Sequence, residues 1–198
     1  YDVIGSINFY ARKEIKDILA YLKTIDNAVD DLSVKRIINI PKRGIGNTTI
    51  SKVQAFADAN MMSFYDALEI AEHIPSIGKS AVKLEPFVTM IRAFRGKKEF
   101  YSLEELVKDV LDSTGYIKDL QESGEEDAEE RIENINELIS KVVIYEETAE
   151  EPTLSGFLEE VALVADIDRM EDNPDRVLLL TLHAAKGLEF DRVYLAGV

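Results

Sequence analysis

Apolar residues follow two patterns along this chain. Over residues 9–25, Ile15, Ile18, Leu19, Leu22 and Ile25 recur at three- and four-residue spacing, which makes one apolar stripe on a helix. Arg12, Lys13, Glu14, Lys16 and Asp17 lie mostly off that stripe, on what reads as a solvated, mixed-charge face. The helical period governs nearly everything up to about residue 172. Ser102-Leu103-Glu104-Glu105 has the spacing of a capping box and opens a helix whose Leu103, Leu106, Val107, Val110 and Leu111 face inward, with Gly115 placed to end it. A longer helix is predicted over 127–147, with Ile132, Ile135, Leu138, Ile139, Val142 and Val143 on one side. Thr153 is placed to cap another, which carries Leu154, Phe157, Leu158 and Val161.

At the two ends the helical period disappears. Asp2-Val3-Ile4-Gly5 reads as the end of a strand, and residues 177–198 read as two buried strands around a polar elbow. An apolar run without alternation suits a strand covered on both faces, and side chains at the carboxyl end of such a strand face a ligand crevice. Thr181, His183, Lys186 and Glu189 fall there. The polar segment Asp26-Asn27-Ala28-Val29-Asp30-Asp31 marks one boundary, and residues 166–176, with Pro174, read as the return linker. The predicted fold is therefore mainly α. A helical domain (residues 29–173) is inserted between two pieces (1–28 and 174–198) of a small parallel α/β domain, whose ends must meet in space.

Composition narrows the function classes. The 198 residues are 46% hydrophobic, enough for a buried core, yet no apolar stretch reaches the length of a membrane span and no secretory signal is visible at the amino terminus. Cysteine is absent and there are only two histidines, which removes disulfides, thiolate metal sites and a His-rich metal centre. No metal ligand set and no catalytic residue is assigned. The net charge of −15 opposes nucleic-acid binding only if it is averaged over the molecule. Lys35, Arg36, Lys42, Arg43 and Lys52 occur between residues 34 and 57 without an acidic neighbour, and Lys79, Lys83, Arg92, Arg95, Lys97 and Lys98 follow with only Glu85 among them. The acidity concentrates in 122–130 and 146–151, so a local cationic surface can coexist with an acidic body.

Two strings carry candidate chemistry in the helical region. Ile37-Ile38-Asn39-Ile40-Pro41-Lys42-Arg43-Gly44-Ile45-Gly46-Asn47-Thr48-Thr49-Ile50 predicts a helix carrying Leu32, Ile37 and Ile40 that stops at Pro41, then a glycine-flanked turn, then a helix starting at Asn47 or Thr48. Glycines allow main-chain amides to approach an anion, and a helix start offers unpaired N–H groups at a positive dipole end. The pattern suits a DNA backbone phosphate; it equally suits a helix–helix corner that needs glycine for its turn. Ile74-Pro75-Ser76-Ile77-Gly78-Lys79-Ser80 imitates the end of a P-loop and fails the test. The first loop glycine would fall at His73, and residues 63–72 read as a helix where a strand is required. It is assigned to a second turn, with Gly78 and Lys79 as a further weak phosphate contact and His73 as a helix-end residue.

The elbow string Thr181-Leu182-His183-Ala184-Ala185-Lys186-Gly187-Leu188-Glu189-Phe190 resembles motif V of the UvrD/PcrA/Rep helicases of superfamily 1, motors that use ATP to move along one DNA strand. The Gly44-Ile45-Gly46 string is similar to the helix-hairpin-helix-like segment of the inserted accessory (2B) domain in these helicases. Residues 9–22 resemble their motif IVa. The resemblance covers essentially the whole chain and is closest to the PcrA branch, and what it implies is specific by position.

The flanking pieces would be parts of the second RecA-like motor domain (2A). Thr181, His183, Arg12 and Lys13 would lie along single-stranded DNA, and Glu189 and Gly187 near the nucleotide. Lys42, Arg43, Gly44, Ile45, Gly46, Thr48, Thr49, Lys52, Gly78 and Lys79 would face duplex DNA. The implied whole is an ATP-dependent 3′-to-5′ DNA helicase of repair or replication, cytoplasmic and without a membrane, using ATP and Mg²⁺. Its partners would be DNA, the remaining motor domains and repair or transcription proteins. With no P-loop or other ATPase motif in it, this chain is expected to be a central fragment that binds neither ATP nor Mg²⁺ and does not hydrolyse ATP alone. Two alternatives stand beside this one: a non-catalytic protein-interaction module, and a fragment of an AddA/RecB-type helicase–nuclease subunit.

Overall fold

The computed structural model describes residues 9–171 and 192–194, and every regular element among them is helical. A short 3-10 turn, Phe9–Ala11, leads into α1 (Lys13–Asp26), followed by α2 (Asp31–Ile37), α3 (Asn47–Ala59) and α4 (Phe64–Glu69). Two further 3-10 turns, Ala71–His73 and Gly78–Lys83, precede α5 (Glu85–Lys97). Then come α6 (Leu103–Thr114), α7 (Tyr116–Glu122), α8 (Ala128–Thr148) and α9 (Leu154–Glu171). The mainly α expectation holds. The expected terminal strands, and with them Thr181, His183, Lys186, Gly187 and Glu189, lie outside the described residues.

Local chemistry places the helix ends where the sequence indicates. The capping box at Ser102 is complete: its hydroxyl accepts from the Glu105 amide at 3.1 Å, and the Glu105 carboxylate accepts from the Ser102 amide at 2.9 Å. Gly115 closes α6 with φ of 69°, a left-handed conformation that a side chain would strain. Thr153 accepts from the Gly156 amide at 3.1 Å and starts α9. That helix continues to Glu171, over the first residues of the predicted linker. No proline or glycine occurs before Pro174 to stop it.

The core forms around α1. It touches α2, α5, α6, α8 and α9, and the other contacts fall into two groups, α2–α5 and α6–α8, joined through α1 and by α5 against α6. Ile15, Ile18, Leu22 and Ile25 are fully buried, together with Ile37, Phe64, Phe87 and Ile91 from the first group and Leu106, Ile135 and Leu138 from the second. The apolar residues of α1 thus share one buried cluster with those of residues 29–161.

The predicted solvated face of α1 is a correction, because Glu14 and Asp17 are both buried. Burying a carboxylate is costly unless it is paired and hydrogen-bonded, and both are. Arg36 Nε of α2 donates to Asp17 Oδ1 at 2.7 Å, and the Tyr116 hydroxyl of α7 donates to Asp17 Oδ2 at 2.8 Å. Asn134 Nδ2 of α8 donates to Glu14 Oε1 at 2.8 Å, and Arg131 Nε stands 3.4 Å from Glu14 Oε2. The sequence pattern could not show this, because the partners lie up to 120 residues away.

Two stability predictions follow from these contacts. Asp17→Ala leaves Arg36 and Tyr116 facing a void, and is expected to cost about 3 kcal/mol in urea unfolding, the lower end for a broken buried pair because Arg36 is partly exposed. Burial raises the Tyr21, Tyr65 and Tyr116 phenols above their ordinary value of 10.0, the last further because it faces the Asp17 carboxylate. The folded state therefore holds these protons after the unfolded chain has released them. Stability is fully present below about pH 10 and falls as pH rises beyond it, and Tyr116→Phe is expected to flatten that decline in pH-dependent unfolding.

Candidate nucleic-acid interface

The turn joining α2 to α3 is built from the inside. α2 ends at Ile37 with its last carbonyls unpaired within the helix, and Arg43 folds back onto them. Its Nη1 donates to the carbonyls of Ile37 at 2.9 Å, Ile38 at 3.3 Å and Ile40 at 3.1 Å, while Nη2 donates to the Tyr21 hydroxyl at 2.6 Å. The guanidinium also lies over the Phe87 ring, 5.5 Å from its centroid. The Tyr21 hydroxyl in turn donates to the Ile40 carbonyl. Burial pushes the Tyr21 phenol up, outweighing the opposing pull of Arg43. Asn39 completes the turn: its Oδ1 accepts from the amides of Arg43 at 2.7 Å and Ile45 at 3.3 Å. Ile45 itself is in the core.

What remains outside is cationic and rich in free donors. Gly44, with φ of 69°, turns the chain in a conformation that favours glycine. Gly46 leads into α3, which has no side-chain cap and no acidic residue in its first turn. The first amides of α3 therefore lack the partner that a capping side chain would supply. Lys42, Gly44, Gly46, Thr48 and Lys52 are exposed, Thr49 is half-buried, and Thr48 and Lys52, four residues apart, share one face of α3.

The second turn comes to the same place. The 3-10 turn Gly78–Lys83 carries Lys83, whose Nζ donates to the Gly44 carbonyl at 3.4 Å, and Gly78 and Lys79 are exposed beside it. Among the described residues, Lys42, Lys52, Lys79 and Lys83 form no ion pair. Three others of the second basic group differ: Arg92 pairs with Glu69, Lys97 with Asp109 and Lys98 with Asp26, at 2.7, 2.7 and 3.2 Å, while Arg95 lies over the Tyr65 ring. The segment preceding Gly78-Lys79-Ser80 is helix and 3-10 turn, as the sequence requires of a false P-loop, and His73 is an exposed turn-end residue.

Charge segregates in space as it does along the chain. Residues 30–98 carry eleven Lys and Arg against seven Asp and Glu, and residues 99–160 carry four against twenty. The first set builds α2–α5 and the second α6–α8, two groups of helices that each pack on α1. The free lysines at the two turns thus belong to the less acidic half.

Two of the expected contact residues have partners within the protein. Arg43 spends three of its donors on carbonyls and Tyr21, inside the turn. Arg12 donates to Asn134 Oδ1 and lies over Phe9, 5.7 Å from its centroid, while Lys13 is exposed. Sequence reasoning missed Asn39, Lys83 and Tyr21. An Asn just past a helix end is a turn-forming signal that could have been used, whereas nothing local marks Lys83 or Tyr21. Lys16, Lys23 and Arg36 also edge a groove of about 480 Å³ between α1, α2 and α9.

The model of the UvrD-like helicase C-terminal domain matches residues 1–198, the whole chain. The chain belongs to that family. It is 41% identical over 204 residues to the ATP-dependent DNA helicase PcrA of Bacillus subtilis (strain 168), all of this chain aligning with 28% of that protein. It is 42% identical over 200 residues to PcrA of Staphylococcus aureus (strain Mu50), and 41% over 200 to PcrA of Staphylococcus epidermidis, in each case matching 27% of the relative. The chain thus spans little more than a quarter of the length of these relatives. For this UvrD-like domain, Asn39→Ala is expected to cost about 1–2 kcal/mol in thermal or urea unfolding, because two turn amides lose their acceptor.

Proposed function

We propose that the chain is a section of an ATP-dependent 3′-to-5′ DNA helicase acting in repair or replication, and that its two glycine turns grip the backbone of duplex DNA. The observation that carries this reading is the uncapped start of α3 behind the Gly44–Gly46 turn, with Lys42 and Lys52 exposed on the same segment and Lys83 of the second turn reaching the Gly44 carbonyl. Amides and ammonium groups at that spot bind phosphate oxygens without reading bases, as a translocating motor needs. The backbones of Gly44, Ile45 and Gly46 shape the seat, and Thr48 and Thr49 offer hydroxyls beside it. Gly78 and Lys79 extend it. The likeness to PcrA supports the same reading.

The division into an accessory domain (29–173) and two motor pieces (1–28 and 174–198) belongs to this proposal. So do the roles of Thr181 and His183 on the single strand, with Lys13 exposed to join them, and of Glu189 and Gly187 at the nucleotide. ATP and Mg²⁺ would be held by the complete protein. Among the described residues no group of three or more His, Asp or Glu side chains could hold a metal ion, and Gly78-Lys79-Ser80 is not a P-loop. No step through the nucleotide is derived. No helix among the described residues is long and apolar enough to cross a membrane; a cytoplasmic site is part of the proposal.

The test is equilibrium binding of a labelled duplex bearing a 3′ single-stranded tail, followed by fluorescence anisotropy across a salt series. Lys42→Ala with Lys52→Ala is expected to weaken binding equally for unrelated sequences. Each lost phosphate contact should also shallow the dependence of log K on log salt by about 0.9. Absence of binding at low salt, or binding indifferent to these changes, would instead favour a protein-interaction module.

A further inference from the structure

The geometry points to Arg43 and Tyr21 as positioning residues that hold the Gly44–Gly46 turn in its DNA-gripping shape, rather than as ligands of the phosphate. The inference rests on the reading of that turn as a duplex contact and adds a part of the machinery to it. Arg43 has the charge and the position along the chain of a phosphate ligand. Three of its five N–H donors are committed elsewhere: the two on Nη1 are shared among the carbonyls of Ile37, Ile38 and Ile40, and one on Nη2 goes to the Tyr21 hydroxyl. Tyr21 is buried, so it cannot touch DNA, yet its hydroxyl both accepts from Arg43 and donates to the Ile40 carbonyl. The pair pins the residues just before Pro41 to α1, and the Phe87 face beneath the guanidinium adds α5. With residues 37–40 fixed, Asn39 can hold the Arg43 and Ile45 amides. The amides at the start of α3 are then left pointing outward.

A planar guanidinium is required for this, because its fixed fork reaches several carbonyls at once; an ammonium is a point charge and cannot. Phosphate binding makes the opposite demand, since a lysine serves nearly as well there. The substitution Arg43→Lys therefore separates the two roles without changing net charge.

The experiment measures binding of the tailed duplex across a salt series by the wild-type chain, Arg43→Lys, Arg43→Ala, Tyr21→Phe, the double variant of Arg43→Lys with Tyr21→Phe, and Lys42→Ala with Lys52→Ala. All are held at a temperature where circular dichroism melting shows every variant folded, so a purely structural role would lower the melting temperature without moving the affinity. Arg43→Lys and Tyr21→Phe are each expected to weaken binding by roughly tenfold, the worth of about one net hydrogen bond to a charged group, with the salt slope unchanged. The double variant should lose much less than the product of the two, because both act through one contact. Wild-type affinity in Arg43→Lys and Tyr21→Phe would overturn the inference. A shallower salt slope in Arg43→Ala, equal to one phosphate contact, would overturn it too. If the wild-type chain fails to bind, or the two lysine changes have no effect, the reading of the turn as a DNA contact fails first, and the outcomes are thereby kept apart.

Discussion

Helix α1 can sit at the centre of this domain only if two carboxylates on it are neutralised. Ten of its fourteen residues are buried, among them Glu14 and Asp17. An isolated ionised carboxylate in such surroundings would be prohibitive, so its partners have to arrive in register. Asp17 is met from α2 by Arg36 and from α7 by Tyr116, and Glu14 is met from α8 by Asn134 and Arg131. These pairs add little net stability compared with apolar packing of the same volume. Their effect is to exclude alternatives: a one-residue slip of α2 or α8 along α1 would leave a buried charge alone. The two helical groups packed on α1 are thereby fixed relative to each other, and the α2–α3 turn is fixed relative to both.

Electrostatics then decides which surface can face an anion. Among the described residues, nine lysines and arginines are spent on nearby carboxylates, which is why composition alone is a poor guide. The second basic group of the sequence divides in two once folded. Arg92, Lys97 and Lys98 pair internally, while Lys79 and Lys83 form no ion pair among the described residues and Lys83 reaches the Gly44 carbonyl of the first turn. The α6–α8 group is strongly acidic and the α2–α5 group is not, so the second is the more favourable for an anion, a difference weakened by salt where the charges are at the surface.

How much of this was legible in the sequence depended on the range of the interaction. The capping box at Ser102, the stop at Gly115, the extent of α8 and the start of α3 at Asn47 are set by residues within a few positions of one another, and each was readable. The glycine turn was readable for the same reason. The burial of Glu14 and Asp17, and the inward direction of Arg43 and Arg12, depend on side chains from other helices. A charged residue off an apolar stripe looks solvated until its partner is known. Family likeness reached further than local pattern, since the motif strings located the chain in a helicase family before any contact could be named. It said less about individual arginines, whose roles depend on the side chains around them in this fold.

The turn itself joins two helix ends of opposite polarity. The end of α2 presents carbonyls and partial negative charge, and the start of α3, one turn further along the chain, presents amides without a side-chain cap and partial positive charge. Left alone, the two would largely cancel for a phosphate arriving from outside. Arg43 covers the carbonyl end from within, so the negative pole is neutralised and hydrogen-bonded while the positive pole stays open. The unpaired Lys42, Lys52 and Lys83 then add to a field that already has the right sign. An arginine that never reaches the ligand can in this way raise the turn's attraction for it, which is why charge counted along the chain and charge available at the surface lead to different assignments for the same residue.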